Sequence, residues 1–312
     1  MRRIVCALVA GALAVLAFAS APAGAQPLSG PQGSEDGGWG LLGPQGPESG
    51  AWRRQLWFLP IPPERVRIHA ILLRPPGAGP FPLAVINHGS IQSAAVRETY
   101  PLREYPLASQ WFLERGYAVV LPLRPGHGET GGPYFEDQGR CESPDYVHSG
   151  QRAADSIEAA IAYMKAQPFI AGSGTVVVGH SAGGWGALAL ASRNPKAVQA
   201  VVNFAGGRGG HAGSRPNNNC SPDRLLAAAG DLGRSARIPT LWLYAENDTY
   251  FAPALSRGMY EAFRSAGGAA EYHLLPPFGT EGHRMIELAE AAELWRPILA
   301  AFLAVAAPRA SR

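Results

Sequence analysis

Lysine is nearly missing from this chain: of 27 basic residues only Lys165 and Lys196 are lysines, a bias we read as genomic composition and not as function. An excess of one charge is missing too. The formal net charge is +3, with 24 acidic residues against the basic ones, which argues against a general binder of nucleic acid or of acidic surfaces. The three cysteines, Cys6, Cys141 and Cys220, allow at most one bridge. No internal repeat is visible, which excludes a solenoid. No group of His, Cys, Asp or Glu has the spacing of a metal site, and nothing else in the sequence calls for a metal or cofactor.

What is present begins with an export signal. Arg2 and Arg3 precede an apolar run from Ile4 to Ala19, and small residues ending Ala23-Gly24-Ala25 complete the pattern of a secretory signal peptide over residues 1–25. The run is short for a membrane span. The expected location is therefore secreted or periplasmic, with no stable membrane association after cleavage. Losing Arg2 and Arg3 lowers the basic residues from 27 to 25 against 24 acidic ones, a formal charge of +1. It also removes Cys6 and leaves Cys141 and Cys220, an even number for an oxidising compartment. Residues 26–50 are Gly, Pro, Ser and Gln with scattered apolars, and read as a flexible leader unable to offset its ordering entropy. One domain follows over residues 51–305, then a tail over 306–312.

Within that domain strand and helix patterns alternate. Strands are expected at Gln55 to Ile61, Val66 to Leu73, Leu83 to Asn87, Tyr117 to Leu121, Thr175 to Val178, Ala200 to Phe204, Thr240 to Ala245 and Ala270 to Leu275. Helices are expected around Leu107 to Arg115, Gln151 to Ala166, from Trp185, and over Asp223 to Leu232, Ala254 to Ala266 and Ile286 to Leu303. Such βα alternation requires a mostly parallel sheet with helices on both faces. Chemistry in these sheets sits beyond the carboxyl ends of the strands.

At one of those ends stands Gly179-His180-Ser181-Ala182-Gly183, a G-x-S-x-G motif between a β-branched strand and an Ala/Leu-rich helix. This context turns a common motif into a nucleophile elbow, in which a strained turn exposes the serine hydroxyl above a helix N-terminus. On these residues, with the GHSxGG form, the chain resembles the α/β-hydrolase superfamily, most closely its dienelactone-hydrolase and prolyl-oligopeptidase-like serine hydrolases, over roughly residues 55 to 304. The resemblance implies an eight-stranded, mostly parallel sheet in the order 1-2-4-3-5-6-7-8.

Ser181 needs a base, and His283, in a Gly-rich loop between the last strand and the last helix, is the expected one. His127, His148 and His211 lie in loops that can line the site, and His273 lies inside a strand. The imidazole needs an acid; Asp248 follows its strand in a turn that resembles the family's G-x-x-D, with Ala245 where glycine is usual and Glu246 as the rival. Ser181, Asp248, His283 is the chain order of α/β-hydrolases. The oxyanion hole is expected from the N–H of Ala182 and that of Ser90, in Asn87-His88-Gly89-Ser90, which resembles the H-G-x loop; Ile91 is the alternative second donor.

The segment Arg124 to Gly132 resembles the superfamily's R-G-H-G-x-S-G loop. It lacks the Lys-Ser/Thr pair of a phosphate cradle. Aromatics near the strand ends, among them Tyr134, Trp185, Tyr250, Phe251 and Phe278, are candidate walls, and Trp185, Tyr250 and His180 are taken as substrate-binding residues. If the resemblance holds for the strand order, Cys141 and Cys220 sit in loops about 14 Å apart at the sheet and bridge across the mouth of the site; two unpaired thiols are the alternative. The reading is an exported, cofactor-independent serine hydrolase of small-molecule carboxylic esters. Its rivals are a peptidase of prolyl-oligopeptidase type and an acyltransferase using the same triad.

Overall fold

The computed structural model describes residues 40–62 and 64–307. The expected signal peptide, residues 26–39 of the expected leader and residues 308–312 of the tail lie outside the described residues. The sheet is built on three short apolar runs, β4 (Leu83–Asn87), β5 (Ala118–Pro122) and β6 (Thr175–His180), buried at every position. A strand apolar on both sides has to be covered on both sides. Along β6, Val176 and Val178 pack into one core cluster and Val177 into the other, as alternation of side chains requires. Each such buried valine contributes about 1.5–3 kcal/mol.

Around these run β1 (Gly43–Ser49), β2 (Arg54–Ile61), β3 (Val66–Leu73), β7 (Val198–Phe204), β8 (Thr240–Ala245) and β9 (Ala270–Leu275). The order is β1-β2-β3-β5-β4-β6-β7-β8-β9, with β1 to β3 antiparallel and β5 through β9 parallel. Without β1 this is the order 1-2-4-3-5-6-7-8. The sheet therefore has nine strands where eight were expected, and the expected leader is corrected at its end. Gly43–Ser49 pairs with β2, Pro44 opposite Trp57 and Gln45 opposite Leu56. An edge strand tolerates proline, since only one side of its backbone needs partners, and its GPQGPES sequence carries no alternation to announce it.

The helices are α1 (Ala94–Glu98), α2 (Pro106–Leu113), α3 (Tyr146–Lys165), α4 (Ala182–Arg193), α5 (Pro222–Gly233), α6 (Pro253–Ser265) and α7 (Ala289–Ala306). α3 to α6 cover one face through residues such as Ile157, Leu188, Leu225 and Met259, and α2 and α7 cover the other through Trp111 and Trp295. α3 starts earlier than its apolar pattern because the Asp145 side chain caps it, accepting from His148 N at 2.8 Å. The expected closing helix is divided: Gly282–Glu287 forms a 3-10 turn and α7 begins only after an extended Leu288. That division places the turn over the carboxyl ends of β8 and β9.

Candidate active site

Between β6 and α4 the chain turns at Ser181 with φ 54° and ψ −122°, a conformation costly for any residue but glycine. The surroundings over-determine it. Ser181 N–H donates to Phe204 O at 3.0 Å, and Ser181 O accepts from Trp185 N at 3.0 Å and Gly207 N at 3.2 Å. The flanking glycines are required by space: a Cβ on Gly179 would run into the Gly183 carbonyl, and one on Gly183 into those of Asn87 and His88. Ser181 thus stands at the end of a central strand, with the N-terminus of α4 and Ala182 directly after it.

Asp248 follows β8 in a turn closed by its own N–H to Ala245 O, 3.1 Å. It is 1% exposed, and Glu246 is exposed. Asp248 Oδ1 accepts from the backbone of Tyr250 at 2.8 Å and Phe251 at 2.9 Å, and Oδ2 lies 3.1 Å from His283 Nδ1. Burial alone would raise its pKa, but His283 and these N–H donors outweigh it and hold the carboxyl below its usual range. His283 Nδ1, facing a carboxylate, carries its proton there and leaves Nε2 as the acceptor. His283 itself is fixed on three sides. Its N–H donates to Glu281 Oε1 at 3.0 Å, its carbonyl accepts from His180 Nε2 at 2.8 Å, and its ring stacks on Tyr250 with centroids 4.2 Å apart.

Two cavities meet at Ser181. The larger, about 360 Å³, is lined by Ser90, Ala182, Arg208, His211, Tyr250 and Phe251 among others. The smaller, about 190 Å³, is lined by Tyr105, His180, His283 and again Ser90 and Tyr250. Ser181, Asp248, His283, Ala182 and Ser90 are thus gathered at one place, with Gly89 pressed against Ser181: a Cβ there would lie 3.1 Å from Ser181 Cβ. Ser181 Oγ has no hydrogen-bond partner among the described residues.

Of the expected substrate contacts, Tyr250 lines both cavities. His180 lines the smaller one, but its Nε2 is committed to His283 O, and burial next to His283 lowers its pKa to about 4. Trp185 is a correction. It is fully buried in the core between α4 and α3, its indole N–H donating to Tyr146 O at 2.8 Å, and it lines neither cavity. Phe278 is likewise core. His211 lines the larger cavity, His127 is buried beneath Ser90 and His148 is exposed on α3.

Cys141 and Cys220 are bridged, 79 residues apart in sequence. The bridge does not cross the mouth. Cys220 N–H donates to Gly209 O at 2.9 Å and its carbonyl accepts from the Tyr146 hydroxyl. The disulfide therefore braces the larger cavity's wall from behind Gly209, and neither cysteine lines a cavity.

The sequence reading did not identify Arg208 and Glu136. Glu136 is 2% exposed and receives both Arg124 and Arg208, the latter at 2.9 Å. Burial would raise its pKa, but the two guanidiniums bring it down to about 2.

A model of the dienelactone hydrolase family matches residues 96–302. Among solved structures, the chain is similar to a Pyrococcus furiosus esterase at 15% identity, with a TM-score of 0.59, over 84% of this chain and 98% of that one. It is similar to an acetyl xylan esterase from Paenibacillus sp. R4 at 16% identity, with a TM-score of 0.58, over 84% and 89%. It also resembles Pyrococcus horikoshii acylaminoacyl peptidase at 12% identity, with a TM-score of 0.60, over 84% of this chain and 43% of that one. At these identities the likeness speaks for the fold. No curated protein matches the chain by sequence.

Proposed function

The chain belongs to the dienelactone hydrolase family, and from that premise we propose that it hydrolyses carboxylic esters through a Ser181-His283-Asp248 triad and an acyl-enzyme. The observation that carries the reading is the pairing of a buried, amide-bonded Asp248 with His283 Nδ1 at 3.1 Å, beside a serine held in the elbow conformation. Ser181 Oγ attacks the acyl carbon while His283 Nε2 takes its proton. The carbonyl oxygen becomes an oxyanion held by Ala182 N–H and Ser90 N–H. The intermediate then collapses: the bond to the leaving oxygen breaks and His283 returns the proton to it. Water, deprotonated by His283, repeats the cycle on the acyl-enzyme and frees the acid and Ser181.

Because His283 must reach the leaving oxygen, the alcohol belongs in the smaller cavity that His283 lines, and the acyl group in the larger one beside Ala182 and Ser90. The N-terminal signal pattern supports export, as does the disulfide, since such bonds persist in oxidising compartments.

The test is a panel of esters and lactones graded in acyl and alcohol size, together with covalent labelling by an organophosphonate read by intact mass. Ser181→Ala is expected to abolish labelling and lower turnover by about 10⁴ to 10⁶. A variant that still labels and turns over would end the reading. Product analysis with added alcohols separates hydrolysis from acyl transfer.

A further inference from the structure

Ser90 is joined to His127 and Tyr134, and through Tyr134 to Arg208 of a further loop, and the donors and acceptors in this series of side chains can be ordered without ambiguity. Arg208 Nη1 lies 3.0 Å from Tyr134 Oη. A guanidinium only donates, so the phenol oxygen accepts and its own hydrogen is free for Ser90 Oγ, 3.0 Å away. At the other end, His127 Nδ1 faces two carbonyl oxygens, Arg124 O at 3.2 Å and Pro125 O at 3.1 Å, and so carries the ring hydrogen. Its Nε2, 2.8 Å from Ser90 Oγ, is then the acceptor of the Ser90 hydroxyl hydrogen. Burial lowers the pKa of His127 to about 4, so the ring is neutral and the direction holds at neutral pH. The chain runs one way, from Arg208 through Tyr134 and Ser90 to His127.

The Ser90 hydroxyl hydrogen is thereby committed to His127, and the donor Ser90 has left for a substrate is its backbone N–H. The neighbouring carbonyls are also occupied. His88 O accepts from Arg124 Nη1 at 2.8 Å, and Gly89 O lies 2.5 Å from His88 Nδ1. Ile91 O and Gln92 O accept from Arg97 Nη1 at 2.9 and 2.6 Å. In a trans peptide the N–H points opposite to the C=O, so pinning Gly89 O turns Ser90 N–H away from His88. Arg97 also covers the Tyr134 ring, 3.7 Å from its centroid, which holds the phenol against Ser90.

We propose that Tyr134 and Arg208 are positioning residues for the oxyanion hole, acting through the Ser90 hydroxyl to hold the Ser90 N–H where the oxyanion forms. The inference rests on the serine-hydrolase reading of Ser181. Tyr134 comes from the loop between β5 and α3 and Arg208 from the loop between β7 and α5, the two loops joined by the Cys141–Cys220 bridge.

The test compares wild type, Tyr134→Phe and Ser90→Ala on an ester and on the matching thionoester, in which sulfur replaces the carbonyl oxygen and accepts hydrogen bonds poorly. Tyr134→Phe is expected to lower kcat on the oxygen ester about tenfold, the worth of one well-placed hydrogen bond, with KM unchanged. The preference for the oxygen ester over the thionoester should shrink by the same factor. Ser90→Ala should behave alike, and the double variant should lose no more than either single one, since both break one chain. A merely structural role would slow both esters equally; that result, or a Tyr134→Phe kcat within about twofold of wild type, overturns the proposal. If Tyr134→Phe does not fold by circular dichroism, Ser90→Ala decides by the same criteria. Wild type that neither labels at Ser181 nor cleaves esters defeats the underlying reading, and the proposal with it, whereas a labelling wild type with indifferent variants defeats the proposal alone.

Discussion

The two sides of Ser181 are held by different chemistry. On the side of His283 the supports are backbone amides and stacked rings: Tyr250 and Phe251 N–H on Asp248, Glu281 on the His283 amide, Tyr250 against the imidazole. On the side of Ser90 they are buried side chains with settled charge. Arg124 and Arg208 are cations, Glu136 is an anion with its pKa at about 2, and His88 and His127 are neutral, driven down by burial. The difference follows the work proposed for each side. On the proposed mechanism the imidazole takes up and returns a proton in every turnover, and it is set beside the Asp248 carboxylate. The loop proposed to hold the oxyanion has to stay still, and Glu136, His88 and His127, which brace it, each keep one charge state at neutral pH.

Among changes to the supports on either side, the largest effect is expected from taking the carboxylate away from the His283 side. Asp248→Asn should cost about 10³ to 10⁴ in kcat, because the amide favours the wrong imidazole tautomer towards Ser181. Glu246→Gln, at an exposed position two residues earlier in the same turn, should leave kcat within about twofold. Equal losses for the two variants would break the division, since the turn would then act as a whole and not through one carboxylate.

The His283 side is also the legible one. Ser181, Asp248 and His283 each stand within a few residues of a strand or helix boundary that the apolar pattern announces. Glu136 and Arg208 are 72 residues apart, in loops without pattern, and charged residues in loops are ordinarily solvated; only the fold makes them partners. Tyr134 could be singled out as an aromatic near a strand end, but its hydroxyl's partners could not. Trp185 misled for a related reason. Its place just after the elbow suggested the substrate, while α4 is buried on all sides and turns the indole towards α3. β1 was invisible because an edge strand of Gly and Pro shows no apolar alternation; it is held by pairing with β2 and by Glu48 ion pairs to Arg53 and Arg74 that only the fold assembles.

The fixed side yields the next effect, on stability. Glu136→Gln leaves two buried guanidiniums facing an amide and should destabilise the fold by about 3–5 kcal/mol in urea titrations at pH 7. The pH dependence gives a second measure. Glu136 sits at about 2 in the fold against an ordinary 4.5, so the stability it adds is complete above about 4.5 and is lost as pH falls towards 2. His127, lowered to about 4 from 6.5, acts in the same direction, because the unfolded chain takes up its proton first. Wild type should therefore begin to weaken below about pH 6.5 as the His127 contribution is lost, and weaken more steeply below about 4.5, where Glu136→Gln, starting lower, should weaken less. Parallel curves would mean that the charge of Glu136 does not hold this side together.

The smallest expected effect concerns the disulfide, which fastens together the two loops of the fixed side. Opening it with Cys141→Ser releases a constraint on a 79-residue separation, and the loss should be about 2–4 kcal/mol, most of it through the freer unfolded chain. In the folded protein much of the local structure remains: Ser221 Oγ still reaches Cys141 O at 2.8 Å, and the Tyr146 hydroxyl still holds Cys220 O. Neither cysteine lines a cavity, and Arg208 keeps its bonds to Glu136 and Tyr134. At 25 °C kcat should stay within about threefold of wild type while the melting temperature falls by several degrees. Calorimetry and steady-state rates on the same preparation check both halves. A large loss of kcat with the melting temperature unchanged would mean that the bridge itself sets the oxyanion loop, and the buried Arg-Glu-Arg cluster would then be too weak to hold Ser90 without it.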